Sequence, residues 1–134
     1  MNILHVNKFH YEKGGSEAVY FRTADILSAQ GHNSYFFSMV HPNNVPCCTD
    51  NYFVSHIDLN STLSIQQQIR TVARILYSTE ARKNISSLLD EYKIDVVHLH
   101  NIHHQISPSI LMEINKRRLP VVMTLHDYKM SCAS

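Results

Sequence analysis

The sequence predicts an α/β domain built on a doubly wound parallel sheet, and three observations point to it. Short apolar, β-branched runs alternate with longer stretches of helical spacing, the pattern of strand–helix–strand crossovers. The run Ile94-Asp95-Val96-Val97-His98-Leu99 is almost continuously apolar, which suits a strand buried on both faces of a parallel sheet. A glycine pair, Gly14-Gly15, joins the first strand-like run to the first helical one.

The elements follow in order. Residues 2–7 form the first strand. Beyond the glycine pair, Tyr20, Ala24 and Leu27 recur with the spacing of one helix face, Ser16 is the candidate cap and Gly31 the stop. Residues 34–40 form the second strand, which His41-Pro42-Asn43-Asn44-Val45-Pro46 breaks, and a weaker strand is expected at 52–55. Ile65, Ile69, Val72, Ala73 and Leu76 mark one amphipathic helix; Ile85, Leu88, Leu89 and Tyr92 mark another, which Thr79 can cap. After the strand at 94–99, Ser107-Pro108 supplies a hydroxyl cap and a proline for the first helical position. Ile110, Leu111 and Ile114 form the inner stripe of that helix, Arg117 and Arg118 suit its negative end, and Leu119-Pro120 closes it before the last strand at 121–125.

The 134 residues are 44% hydrophobic and 17% charged, enough for one core and not two. A single domain over 1–134 is expected, incomplete because no covering helix follows the last strand. Twelve Lys+Arg against eleven Asp+Glu give a net charge of +1, which offers nucleic acid no particular attraction. The N-terminus shows no basic n-region or cleavage-site pattern, and no apolar stretch approaches the roughly 20 residues that span a bilayer. A cytoplasmic location is therefore expected, with any membrane contact peripheral. Cys47 and Cys48 are adjacent and Cys132 stands alone, a spacing that fits neither a disulfide nor a metal knuckle.

In open parallel sheets, ligands bind beyond the carboxyl ends of the strands. That rule gathers three segments on one rim: Asn7, Lys8, Gly14, Gly15 and Ser16 after the first strand, His98, His100, Asn101, His103 and His104 at the end of the fourth, and His126 with Asp127 after the fifth. Gly14-Gly15-Ser16 at a helix mouth can cradle a phosphate, and can equally be an ordinary turn, since neither G-x-G-x-x-G nor G-x-x-x-x-G-K-[ST] is present. Glu17 would repel phosphate if it pointed inward and would complement the helix dipole otherwise. His98 and His100 share one side of a strand, an H-x-H pair that can chelate zinc with His103 or His104 as third ligand. No carboxylate or cysteine stands nearby, and hydrogen-bonded strand-end histidines are the simpler reading, so no metal ligand is assigned. His126 beside Asp127 can donate, accept or polarise near neutral pH. No G-x-S-x-G elbow is present and Cys132 has no evident partner, which argues against a nucleophilic triad.

Taken together, "ILHVNKFHYEKGGSE", "DVVHLHNIHHQISPSIL" and "PVVMTLHDYKMSC" resemble the N-terminal half of a family 4 retaining glycosyltransferase with the GT-B architecture, in the right order over essentially the whole chain. The resemblance implies two Rossmann-like domains facing a cleft. The N-terminal one holds the acceptor; the C-terminal one, absent from this chain, holds the nucleotide-sugar donor through paired glutamates in an E-x7-E motif. It matches Gly14 and Gly15, with Ser16 beside them, to the turn that approaches the donor diphosphate, and His126 to a histidine near the transferring sugar. His98 and His100 match a strand end that supports the cleft or meets the acceptor, and Asn7, Lys8, Asn101 and Asp127 are grouped with them. Such enzymes usually need no divalent metal, and no cofactor is expected.

The implied reaction moves a sugar from a nucleotide-sugar to a polysaccharide or lipid-linked acceptor, with the isolated piece inactive. The loop at 41–61 is expected to shape acceptor choice. Arg70, Arg74, Arg82 and Lys83 can rest the helices on an anionic membrane. Two other readings stand beside it: a small metal-dependent hydrolase built on His98, His100 and His126, and a non-enzymatic module that binds a nucleotide or sugar phosphate.

Overall fold

A computed structural model describes residues 1–56, 64–103 and 106–126, apart from the side chains of Ile65, Arg74 and Leu76. The chain runs β1 (Asn2–Val6), α1 (Gly15–Ala29), β2 (Asn33–Phe37), a 3-10 turn (Asp50–Tyr52), α2 (Ile65–Leu76), α3 (Thr79–Glu91), β3 (Val96–Leu99), α4 (Ile110–Lys116) and β4 (Val121–Met123). All strand pairs are parallel, in the order β2-β1-β3-β4. This is the expected Rossmann-like α/β sheet with flanking helices. The chain steps outward from β1 to β2 and then crosses to β3 on the other side of β1. The carboxyl ends of β1 and β3 are therefore the switch point where such sheets open to ligands.

The pleat gives the sheet two unlike faces. Leu4 and Val6 of β1 and Val97 and Leu99 of β3 pack with Ile85 and Leu88 of α3 and with Ile110 and Ile114 of α4 in one aliphatic core. The alternate residues, His5 and His98, lie on the other face. There Tyr20 of α1 stands edge-on to His5, with ring centroids 6.2 Å apart. The α1 side of the sheet is thus an imidazole and aromatic layer where an aliphatic one would be usual.

Several boundaries differ from the sequence expectation, each for a local reason. The weaker strand at 52–55 is reduced to a single parallel bridge between Met39 and Val54. The 3-10 turn occupies its beginning, and only Val54 keeps ladder bonds, accepting from the Val40 amide at 2.7 Å and donating to the Ser38 carbonyl at 2.9 Å. The N-cap of α1 is Gly14 and not Ser16, whose hydroxyl turns to Glu17 Oε1 at 3.0 Å. Ser78, not Thr79, caps α3, its hydroxyl accepting from the Ala81 amide at 3.1 Å. Ser107 lies ahead of α4, which opens as a 3-10 turn through Pro108 and Ser109 before settling into helix at Ile110. Gly31 stops α1 as expected, at φ 85°, with the His32 amide reaching the Leu27 carbonyl at 3.1 Å and the Gly31 amide reaching Ser28 at 3.0 Å. Among the described residues, no helix is long and apolar enough to cross a membrane.

Candidate functional site

Asn7 is the clamp of the switch point. It is fully buried at the end of β1, and its Oδ1 accepts from the Asn101 amide at 3.1 Å across to the end of β3. Its Nδ2 donates to the Phe9 carbonyl at 2.8 Å and to Glu17 Oε1 at 3.4 Å. Main-chain bonds reinforce the same junction: the Lys8 amide donates to Asn101 O at 2.7 Å and the His100 amide to Val6 O at 2.8 Å. The Lys8 ammonium rests 5.1 Å above the Phe9 ring.

The turn at 14–16 opens beside this clamp. Glu17 is 3% exposed, so of its two possible orientations the inward one holds. Its carboxylate takes hydrogen bonds from Asn7 and Ser16 at the start of α1, whose positive end favours it. Among the described residues, neither glycine is demanded by its backbone angles or its neighbours. Only Gly31 has positive φ among the glycines, a Cβ at Gly14 would meet nothing closer than Glu17 Oε2 at 3.7 Å, and a Cβ at Gly15 would meet nothing within 4 Å.

Four imidazoles line the adjoining strand ends. His5 and His98 are partners in the β1–β3 register, and His100 follows on the same face. His98 Nε2 hydrogen-bonds with Thr124 Oγ1 at 2.7 Å, and His100 Nδ1 with His126 Nε2 at 3.0 Å. His5 Nε2 lies 3.4 Å from Ser34 Oγ. Two buried ring nitrogens, His5 Nδ1 and His100 Nε2, have no hydrogen-bond partner among the described residues. An orphaned buried polar atom of this kind typically costs about 1–3 kcal/mol. Burial, with the neighbouring imidazoles adding to it, pushes His5 down to about 4 and His100 to about 3, and burial lowers His98 as well. All three rings are neutral near pH 7. His10, buried under α1, bonds through Nδ1 to the Tyr20 hydroxyl at 2.8 Å, and burial lowers its pKa to about 4 although Asp50 opposes the shift.

The rim expected from the strand-end rule therefore holds together physically. A line of contacts runs from the glycine turn through Glu17 and Asn7 to Asn101, whose neighbour His100 meets His126. His103 is half-buried beyond β3, apart from the grouped rings, while His104, Asp127 and Cys132 lie outside the described residues. Among the described residues, the imidazole grouped with His98 and His100 is His5, from the neighbouring strand, in place of His103 or His126. Sequence reading passed over His5 because it sits inside an ordinary apolar run; only the β1–β3 register sets it against His98. Arg82 is committed to Glu113, leaving Arg70 and Lys83 as the described cations of the basic group that carry no such pairing.

The family model for Glycosyltransferase Family 4 matches residues 13–130. The chain belongs to glycosyltransferase family 4. No individual curated protein matches it significantly. The match begins just before the glycine turn and runs through α1, β2, β3 and β4, so it takes in every segment of the rim except the end of β1. For a family 4 glycosyltransferase domain, a ligand site at the carboxyl edge is also where a parallel α/β sheet places one.

Proposed function

We propose that the chain is the acceptor-side domain of a retaining glycosyltransferase of GT-B type, which moves a sugar from a nucleotide-sugar donor to a polysaccharide or lipid-linked acceptor. The observation that carries this reading is the glycine pair. Two residues without side chains stand at the mouth of a 15-residue helix, and nothing among the described residues requires either to be glycine. What their bareness serves is close approach of a ligand to the free amides of the first helical turn. A diphosphate fits that demand. Glu17 is the opposing charge: Asn7 and Ser16 hold its carboxylate inward, with Oε2 3.7 Å from where a Gly14 Cβ would stand, so the diphosphate is met at the Gly15 and Ser16 amides and the carboxylate weakens that pull.

In a retaining transfer, the bond from the anomeric carbon to the diphosphate breaks as positive charge grows on the sugar and negative charge on the leaving group. Amides of Gly15 and Ser16 aimed at the diphosphate favour that charge-separated state over the ground state. His126 engages His100 through Nε2, which leaves Nδ1 for a hydroxyl of the transferring sugar. Asn7, Lys8, His98, His100, Asn101 and Asp127 form the supporting wall or meet the acceptor. A hollow of about 300 Å³ lined by Val40, His41, Asn44, Val45 and Pro46 supports acceptor selection by the loop after β2. The transfer step needs no cofactor. Exposed Ile69 and Val72 beside Arg70 on α2 support a peripheral contact with the inner membrane face. The donor's nucleotide requires a second domain, so residues 1–134 alone transfer no sugar.

The test is nucleoside-diphosphate release by the full-length protein from a panel of UDP-glucose, UDP-galactose, UDP-N-acetylglucosamine and GDP-mannose. Gly15→Val is expected to raise the donor KM at least about tenfold, equivalent to about 1.4 kcal/mol. Wild-type kinetics in that variant, or turnover by residues 1–134 alone, would overturn the proposal.

A further inference from the structure

We propose that His5, His98 and His100 form a binding site for a divalent transition-metal ion of the zinc type. The three rings come from adjacent strands on one face of the sheet, and each can supply a ring nitrogen so that the three lie within 4.8 Å of one another. Each ring also has a polar neighbour at one of its nitrogens. Thr124 holds His98 at Nε2, His126 holds His100 at Nδ1, and Ser34 lies beside His5 Nε2. The nitrogens left over include His5 Nδ1 and His100 Nε2, both buried and both without a partner among the described residues. That is how ligand histidines are built: the second nitrogen is engaged by an outer partner that sets ring orientation and tautomer.

The donor set selects the metal. Three imidazoles with no carboxylate suit zinc, copper, nickel or cobalt and suit magnesium or calcium poorly. Bonds of about 2.0–2.1 Å in tetrahedral geometry put ligand nitrogens about 3.3 Å apart, so the rings close inward on binding. The fourth position is left to water. A metal on His100 Nε2 keeps the proton on Nδ1, which must then donate to His126 Nε2 and so sets the tautomer of that ring. The ion here orients side chains, and its presence does not depend on the sugar-transfer reading.

The site is tested by stripping the full-length protein with EDTA, removing the chelator, and titrating with CoCl2 while recording visible absorption. Saturation at one equivalent, displacement of the cobalt signal by zinc, and survival of the signal in His126→Ala are expected. The cobalt Kd is expected to rise at least about 100-fold, about 2.7 kcal/mol, in both His5→Gln and His98→Gln. Circular dichroism establishes that each variant is folded; should His5→Gln fail to fold, the half-exposed His98→Gln decides alone. Absence of cobalt binding by the wild type, or binding unchanged in folded His98→Gln, overturns the proposal.

Discussion

Asn7 joins three separate segments with one side chain, and its replacement is correspondingly specific. Asn7→Leu keeps the volume but leaves the buried Asn101 amide and the Phe9 carbonyl without their side-chain partner, while Glu17 keeps Ser16. A loss of about 1–3 kcal/mol for each orphaned group is expected from urea unfolding. The buried histidines add a pH dependence. His5, His10 and His100 have pKa values of about 4, 4 and 3 in the folded state against 6.5 when unfolded. The unfolded chain therefore binds more protons between those limits, and stability rises with pH there. Metal-stripped protein is expected to hold its full histidine contribution above pH 6.5 and to lose it progressively as pH falls toward 4 and 3, measured as Tm across that range. Much of this rim was legible in the sequence, because Asn7, His98, His100, Asn101 and His126 all follow directly from strand ends. Glu17 and His5 were not. The orientation of the first depends on Asn7 across the turn, and the position of the second on a register between strands far apart in the chain.

At the level of elements, the two helices over the aliphatic face are fastened by polar groups at their edges. Ser78 caps α3 while its amide donates a hydrogen bond to Ser109 Oγ at 3.2 Å, tying the start of α3 to the N-cap of α4. Ser78→Ala is expected to cost about 1 kcal/mol and Thr79→Ala much less, since the cap lies one residue earlier than the sequence suggests. Glu113 of α4 gathers Arg82, Lys116 and Arg117, and the first two hold its carboxyl down at about 2 against an ordinary 4.5. Its folded pKa is depressed, so its stabilising contribution is complete above about 4.5 and lost as pH falls through about 2. Glu113→Gln should lower Tm at pH 7 and narrow its gap from the wild type below that window. Helix identities were readable from apolar spacing, but caps and the shrunken strand at 52–55 were not. Neighbouring hydroxyls compete for one set of free amides, and a 3-10 turn claimed residues that otherwise suit a strand.

The whole molecule divides its labour between two faces of one sheet. The aliphatic face stabilises: Ile85 and Leu88 are fully buried, and Leu88→Ala is expected to cost about 2–5 kcal/mol in chemical unfolding. The face under α1 carries imidazoles, leaves buried nitrogens unsatisfied among the described residues, and leads to the carboxyl edge, where Asn7 links Glu17 to Asn101 and His100 meets His126. The chain belongs to glycosyltransferase family 4, and in the proposed reading the switch point between β1 and β3 is where its ligand sits. The central claim is that the glycine turn and His126 serve one ligand. A crystal structure of the full-length protein with a non-hydrolysable nucleotide-sugar tests it most directly. Diphosphate oxygens about 2.7–3.2 Å from the Gly15 or Ser16 amide, with the sugar beside the His126 ring, are the predicted result. A donor bound at the amino edge of the sheet, or a diphosphate remote from the glycine turn, would contradict the account.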